Sequence, residues 1–336
     1  MQKKLVVLSS PFIRNSEVST RGIMLDVIIA LMPTVLAAAW FFGKDAINHV
    51  LIAVGSAVLS EWLYNRITQQ KSTISDLSAV VTGMLLAFNL PANAPWWMGV
   101  VGSMLAIVLV KQIFGGLGQN FMNPAMAARS ILTLSWTGLM AATAMPQAGQ
   151  LFQQAAQSTV DAVSAATPLA LGAPVYALRD LLMGNIPGML GETCKFTLIL
   201  GGLYLLLRGV INWRVPVFFI GTVFVLFWIK TGVVYSVESG SQNALYQVLS
   251  GSLILGAFFM ATDYVTCPIT KWGKVIMGIG CGLIMFIIRV FNASYPEGCS
   301  FAVLFMNVLT PLIDRWTMPR AFGSPKSINM KKGERA

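Results

Sequence analysis

The chain has 336 residues, of which 56% are hydrophobic and 11% are charged, with a net charge of +10 and a mean hydropathy of +0.70. Soluble domains have about 25% charged residues, so this composition excludes an ordinary soluble domain and indicates a protein that uses lipid as solvent. The basic residues lie between apolar runs, which argues against nucleic-acid binding and fits the positive-inside rule.

The first 22 residues are polar and basic, and they contain Lys3, Lys4, Arg14 and Arg21. They lack the apolar stretch and cleavage site of a signal peptide. We therefore expect a short cytoplasmic segment that stays attached to the protein.

Apolar runs predict about ten membrane-spanning helices, five on each side of a polar loop. A bilayer core of about 30 Å needs roughly 20 residues as a helix. The predicted spans are Ile23–Phe42, Ala46–Tyr64, Leu77–Leu90, Trp96–Phe114, Asn123–Ala141, Thr193–Leu207, Val215–Ile229, Leu245–Thr262, Val275–Phe291 and Phe301–Ile313. Leu77–Leu90 and Phe301–Ile313 are short, which is typical of broken helices around a site in the middle of the membrane.

The two halves are weakly similar to each other in sequence. Thr82-Gly83-Met84-Leu85-Leu86 falls where Leu255-Gly256-Ala257-Phe258-Phe259 falls, and Lys111 falls where Arg289 does. Five spans per repeat require the second copy to be inverted. We predict an all-α polytopic membrane protein of two inverted five-helix repeats, which resembles the architecture of ammonium and urea channels. The predicted units are segment 1–22, repeat 23–141, an extracytoplasmic loop 142–192, repeat 193–313 and a basic cytoplasmic tail 314–336.

The basic residues predict the orientation. With both termini in the cytoplasm, 18 of the 23 lysines and arginines lie on the cytoplasmic side. The remaining residues, assigned to the outer side, are Lys44, Arg179, Lys195, Lys230 and Arg289. This orientation places the long loop outside the membrane.

The inventory of metal-binding residues is sparse. Cys194, Cys267, Cys281 and Cys299 are far apart in sequence, whereas iron–sulfur and zinc sites usually contain a closely spaced pair. Buried structural cysteines are the favoured interpretation, with a cluster shared with another subunit as the alternative. His49 is the single histidine, so we predict no metal site in this chain.

Several polar residues fall within or at the ends of the predicted spans. Intramembrane charges are expensive and are therefore functional candidates. Asp26 lies near the cytoplasmic end of its span, so capping or snorkelling explains it, while Glu61 lies within an apolar run. Arg129 and Asn123 are candidate cofactor-binding residues, with a phosphate, a flavin or a carboxylate as the partner of Arg129. Asp263 and Thr262 are candidates for an ion path.

The loop contains the stretch Asp161-Ala-Val-Ser164-Ala-Ala166-Thr167-Pro. Asp, Ser and Thr are turn and capping residues, so composition alone favours a turn that leads into a short helix. An exposed threonine on the outer side is also the kind of residue that a separate enzyme is able to modify.

The motif D-x-x-S-x-A-T is similar to the acceptor motif of the flavin transferase that links FMN to a threonine hydroxyl. The whole chain resembles the RnfD/NqrB family of membrane flavoproteins. Further matching stretches are S-S-P-F-I-R, S-T-R-G-I-M, G-Q-N-F-M-N-P-A-M-A-A-R, F-F-M-A-T-D-Y-V-T-C-P and L-I-D-R-W-T-M-P-R, and together they cover about residues 9–323. Ala165 stands where the family often has glycine, and the short N-terminal segment favours the RnfD branch.

The resemblance implies a function and a cofactor. It implies a covalent FMN on Thr167, with Asp161, Ser164 and Ala166 as acceptor-motif residues, and a second, noncovalent riboflavin without assigned residues. It also implies a place in the bacterial cytoplasmic membrane, within a complex that passes electrons between ferredoxin and NAD⁺ and transports Na⁺ or H⁺. Partner subunits would supply iron–sulfur clusters, another FMN and the NAD⁺ site, so this chain alone has no predicted catalytic residue.

Three alternatives differ in function. A channel or transporter without redox chemistry shares the predicted repeat architecture. An NqrB-type subunit of a Na⁺-pumping quinone reductase differs mainly in the electron acceptor. A purely structural anchor for soluble subunits would carry no flavin at all.

Overall fold

The structure is a computed structural model, and it describes residues 19–70, 73–146, 149, 164–165, 167–169, 174–235, 243–292 and 297–319. The described chain is mostly helical, and its helices expose large apolar side chains such as Leu36, Leu51 and Ile229. Water-soluble monomers rarely expose extended apolar surfaces. The fold is therefore that of a polytopic membrane protein.

The first part of the chain begins with a capped helix, since the Ser19 hydroxyl accepts from the Gly22 amide at 3.1 Å. The elements are α1 (Thr20–Phe42), α2 (Lys44–Ile67), a 3-10 turn (Ile74–Asp76), α3 (Ser78–Phe88), α4 (Trp96–Met104) with a π-helical continuation (Leu105–Gln112), α5 (Pro124–Ser135) and α6 (Thr137–Ala141).

The second part contains two short strands and the remaining helices. The elements are β1 (Thr143–Ala144), β2 (Ser164–Ala165), α7 (Leu178–Met183), α8 (Lys195–Leu207), α9 (Arg214–Thr231), α10 (Ala244–Leu249), α11 (Leu253–Leu255) with a π-helical continuation (Gly256–Met260), α12 (Lys271–Phe291) and α13 (Cys299–Thr317).

Each of the ten predicted spans overlaps helix in the described chain, but Asn123–Ala141 and Leu245–Thr262 are each divided between two helices. Within those residues, α1, α2, α9 and α12 are long and apolar enough to cross a membrane alone. The apolar helices α3 and α8 are shorter, as is α4 taken together with its continuation. At 11 residues, α3 rises about 16 Å, roughly half of a bilayer core.

Two predictions of helix length are wrong. The predicted span Leu245–Thr262 is broken, because Ser250 is extended and Gly251 has φ +66° between α10 and α11. The predicted short span Phe301–Ile313 is instead the 19-residue helix α13, which begins at Cys299 after Gly298 in a left-handed conformation. The broken helix of the second half is therefore α10–α11 and not α13.

Glycines set the closest helix contacts. A Cβ on Gly201 of α8 would overlap the Ala30 carbonyl of α1, and one on Gly83 of α3 would lie 2.7 Å from Cα of Val54. Such contacts let membrane helices approach each other closely. Helix α1 packs on α8, α5 on α13, α2 on α3 and α4, and α9 on α12.

The stretches that are similar in sequence lie on comparable elements but meet different neighbours. Gly83 and Gly256 both lie on short helical segments that follow a break in the chain. Gly83 contacts α2, whereas a Cβ on Gly256 would meet Sγ of Cys299 in α13.

The end of α3 meets a segment from the second part of the chain. The Leu190 amide donates to the Leu90 carbonyl, and the Gly191 amide donates to the Phe88 carbonyl, both at 3.0 Å. These bonds satisfy backbone carbonyls that would otherwise be unpaired where α3 stops, which is a requirement inside lipid.

Candidate functional site

The predicted acceptor motif is held by a small antiparallel sheet. Ala165 pairs with Thr143, and Ser164 pairs with Ala144, which also forms a bridge to Gly188. Thr167 is half-buried, and Pro168 beside it is buried. The backbone around the motif is thus tied to the segment that meets the end of α3.

The other members of the motif are described only in part. Asp161 and Ala166 lie outside the described residues, and only the backbone of Ser164 is described. Their assignment as acceptor-motif residues therefore stays a prediction.

Gly251 connects the end of the motif to a group of charged residues. A Cβ at Gly251 would lie 2.9 Å from Cδ1 of Leu169, 3.4 Å from a terminal guanidinium nitrogen of Arg289 and 3.9 Å from Cγ of Glu297. The Gly251 carbonyl accepts from Nζ of Lys195 at 2.8 Å. Leu169, two residues after Thr167, therefore lies close to Arg289 and Glu297.

Arg129 is the centre of this charged group. Its guanidinium forms ion pairs with Glu192 at 3.0 Å and with Glu297, and it donates to Oδ1 of Asn89 at 2.6 Å. Of the three partners considered for Arg129, a phosphate, a flavin or a carboxylate, the described residues supply carboxylates. Arg129 and Glu192 are almost fully buried.

Two further cations complete the group. Lys195 is fully buried and donates to the carbonyls of Glu192 and Gly251. Arg289 donates to the carbonyls of Gln247 and Ser250, the latter at 3.0 Å. We call the set Arg129, Glu192, Lys195, Arg289 and Glu297 the Arg129 network.

Sequence reasoning missed most of this network. Glu192 and Glu297 were not singled out, while Lys195 and Arg289 were counted only as basic residues of the outer side. The available signal was the position of three of these charged residues at the starts of apolar helices. Glu192 and Lys195 flank Thr193-Cys194, and Glu297 precedes Gly298-Cys299. Nothing in the sequence indicated that these segments meet.

Asn123 lies at the start of α5, six residues before Arg129. Its Oδ1 caps α5 by accepting from the amides of Ala125 and Met126, and its Nδ2 donates to the Met260 carbonyl at 3.2 Å. The described contacts of Asn123 are thus those of a helix cap that also joins the two halves of the chain.

Asn123, Thr262 and Asp263 line one cavity of about 80 Å³ between α1, α3, α8 and the chain after Met260. Lys111, Ser78 and Asn120 also line this cavity. Asp263 accepts from the Thr266 hydroxyl at 3.3 Å. The candidate ion-path residues therefore share a space with Asn123.

A second buried ion pair lies at one side of that cavity. Lys111 donates to Glu61 at 2.9 Å and to the Ser78 hydroxyl at 2.6 Å, and Ser78 in turn donates to Asp76. The Thr73 hydroxyl also donates to Glu61. We call the ion pair of Lys111 and Glu61 the Glu61 pair.

The other intramembrane acid behaves as a surface residue. Asp26 pairs with Arg208 at 3.2 Å and accepts from the Tyr204 hydroxyl at 3.0 Å, with the Arg208 side chain 59% exposed. This placement agrees with the interpretation of Asp26 as a group near the membrane surface.

The single histidine and the four cysteines are buried. Nε2 of His49 lies 3.2 Å from the Ala92 carbonyl. All four cysteines are buried and free of disulfides. Within the described part of the chain, no three His, Cys, Asp or Glu side chains are grouped as metal ligands.

Comparison with known proteins decides the family. The model of the family described as NQR2, RnfD, RnfE matches residues 6–323. The chain belongs to this family. Its relatives include a subunit of the Na⁺-translocating ferredoxin:NAD⁺ oxidoreductase complex of Acetobacterium woodii, which is 46% identical over 329 residues, covering 96% of each chain.

Two further relatives show that the likeness extends along nearly the whole chain. A subunit of the proton-translocating ferredoxin:NAD⁺ oxidoreductase complex of Clostridium ljungdahlii is 37% identical, covering 95% of this chain and 96% of the relative. A subunit of the ion-translocating oxidoreductase complex of Stutzerimonas stutzeri is 39% identical, covering 91% of this chain and 92% of the relative.

Proposed function

We propose that this chain is the membrane electron-transfer subunit of an ion-translocating ferredoxin:NAD⁺ oxidoreductase complex and carries a covalent FMN on Thr167. The names of relatives that match over nearly the whole chain support the complex. The observation that carries the flavin assignment is the position of Thr167. It lies half-buried in the acceptor motif, two residues from Leu169, which lies close to Arg289 and Glu297 of the Arg129 network.

The residues around Thr167 fit an FMN phosphoester. Thr167 supplies the hydroxyl oxygen, and the sheet of β1, β2 and Gly188 fixes the backbone on one side of it. Arg289 and Glu297 of the Arg129 network lie close to Leu169. When bound, FMN supplies one- and two-electron transfer, and the chain's own residues hold and orient it at the end of the helices.

The proposal includes an orientation and partners. Both termini lie in the cytoplasm, and Thr167 lies outside the bacterial cytoplasmic membrane, where a flavin transferase reaches it. The distribution of 18 of 23 basic residues supports this. Other subunits of the complex supply the iron–sulfur clusters, another FMN and the NAD⁺ site. A noncovalent riboflavin stays a prediction without assigned residues.

We further propose that the helices form two inverted five-helix repeats. The packing of α1 on α8 and of α5 on α13 supports this, because equivalent helices meet across a two-fold axis. Ions would pass near the cavity lined by Thr262 and Asp263. The names of two relatives differ in the transported ion, so the proposal covers ion translocation and not a particular ion.

Replacement of Thr167 tests the flavin assignment. The full-length chain, expressed with its flavin transferase, is run on a denaturing gel and viewed under ultraviolet light, because only covalent flavin survives denaturation. We expect fluorescence from the unaltered chain and none from Thr167→Val. The matched control is Thr137→Val, an exposed threonine of α6 that donates to the Thr133 carbonyl. Fluorescence that persists in Thr167→Val would refute the site.

A further inference from the structure

The Arg129 network contains a surplus of positive charge. Its cations are Arg129, Lys195 and Arg289, and its carboxylates are Glu192 and Glu297. Both carboxylates pair with the same cation, Arg129. The formal charge of the group is therefore +1.

The surplus lies on the two cations that contact backbone carbonyls. Among the described residues, no carboxylate lies within ion-pair distance of Lys195 or Arg289. Nε of Arg289 is buried and has no hydrogen-bond acceptor in the described chain. Carbonyl dipoles compensate a desolvated cation only in part, because removing a cation from water is energetically costly. An anion next to Arg289 would supply the missing compensation.

The chain that follows Thr167 passes close to Arg289. Cδ1 of Leu169 and a terminal nitrogen of Arg289 both lie within 3.4 Å of the point that a Cβ of Gly251 would occupy. Thr167 is two residues away, so its Cα lies at most about 7 Å from that of Leu169. A group joined to the Thr167 hydroxyl is therefore within reach of Arg289.

We propose that Arg289, assisted by Lys195, is a positioning residue that binds the anionic group of the flavin joined to Thr167. This inference rests on the proposed function. A threonine-linked FMN has two groups of this chemistry, the phosphodiester, with one negative charge, and the reduced ring when it is deprotonated. Either group would neutralise the surplus charge of the Arg129 network. Arg289 thus orients the attached flavin and takes no part in forming its bond to Thr167.

A double-mutant cycle between Arg289 and Thr167 tests the contact. Four full-length chains are compared: unaltered, Arg289→Gln, Thr167→Val and the double variant. Thermal unfolding is measured in one detergent at one scan rate. Loss of the carbonyl contacts of Arg289 affects both backgrounds equally. Loss of a contact with the flavin affects only the flavin-bearing background, so the proposal predicts non-additivity.

We expect Arg289→Gln to lower the midpoint temperature by about 2 °C or more beyond its effect in the Thr167→Val background. An equal shift in both backgrounds, or a larger loss in the flavin-free chain, overturns the proposal. Arg179→Gln, an exposed arginine of α7, is the control and should be additive. If Arg289→Gln does not fold or does not carry flavin, the same cycle is measured with Lys195→Gln. A non-additive result then supports the proposal, and an additive result overturns it.

Two additional measurements separate the possible causes. In-gel fluorescence of the unaltered chain comes first, because its absence contradicts the proposed function, whereas fluorescence with an additive cycle contradicts only the role of Arg289. The midpoint potential of the bound flavin then separates the two anions. A lower potential in Arg289→Gln than in Arg179→Gln indicates the reduced ring, and an unchanged potential with a non-additive cycle indicates the phosphodiester.

Discussion

The two buried charge clusters differ in how their charges are balanced. In the Glu61 pair, one cation meets one carboxylate, and hydroxyls of Thr73 and Ser78 complete the hydrogen bonds. In the Arg129 network, one arginine serves two carboxylates, and two further cations contact carbonyls. The first arrangement is closed within the chain, whereas the second has capacity for an additional anion. The difference motivates the proposed anion site, because cations outnumber carboxylates in the Arg129 network and do not in the Glu61 pair.

Of the replacements considered, that of Arg129 should reduce the amount of folded protein most. Arg129→Met leaves Glu192 and Glu297 buried together without their shared partner, and breaking a buried ion pair costs about 3–5 kcal/mol. We expect loss of most folded protein, measured as the monodisperse fraction after detergent extraction and size-exclusion chromatography. Arg208→Met is the matched control, because the Arg208 side chain is 59% exposed. Equal yields for the two variants would contradict the structural role of Arg129.

Replacement of Lys111 should show the closed character of the Glu61 pair. Lys111→Met alone leaves Glu61 buried without a cation and should destabilise the protein by about 3–5 kcal/mol. The double replacement with Glu61→Leu should recover most of the loss, since buried pairs are often replaced by apolar residues at little cost. The measurement is thermal unfolding of the single and double variants.

The same strategy should fail in the Arg129 network. Removing Glu192 together with Arg129 still leaves Glu297 and the two other cations. If the Glu192→Leu/Arg129→Met variant recovered stability as completely as the Glu61→Leu/Lys111→Met variant, the charges of the two clusters would be balanced in the same way.

A smaller loss of stability is expected on replacement of Gly251, which lies between the Arg129 network and Leu169. Gly251→Ala places a Cβ 2.9 Å from Leu169 at a positive φ of +66°. Gly209→Ala is a matched control, because Gly209 has φ +69° and no atom within 4 Å of the added Cβ. Both variants carry the strain of a left-handed alanine, about 1 kcal/mol. Only Gly251→Ala should lose additional stability, measured by thermal unfolding, and a loss no greater than in Gly209→Ala would contradict the contact with Leu169.

Much of the membrane fold was predictable from the sequence because apolar runs report directly on helices in lipid. Long runs such as Ile23–Phe42 correspond closely to a single helix. The break between α10 and α11 carried a local signal as well, in Ser250-Gly251-Ser252 within an apolar run. That signal was missed because hydropathy averaged over a span hides a single left-handed glycine.

The charge clusters were less accessible to sequence reasoning, for a different physical reason. Arg129 and Glu297 are 168 residues apart, and Glu61 and Lys111 are 50 residues apart. No local pattern connects them, since only the packing of several helices brings them together. The acceptor motif around Thr167 was recognisable from its residues, but the proximity of Leu169 to Arg289 was not.

The half-length of α3 also has a consequence for biosynthesis. Its 11 residues end at Phe88, and the next residue, Asn89, accepts from Arg129, while the Phe88 and Leu90 carbonyls accept from Gly191 and Leu190. All of these partners follow α3 in the chain and are therefore translated after it. The hydrogen bonds at the end of α3 are complete only once the chain has been made as far as residue 191.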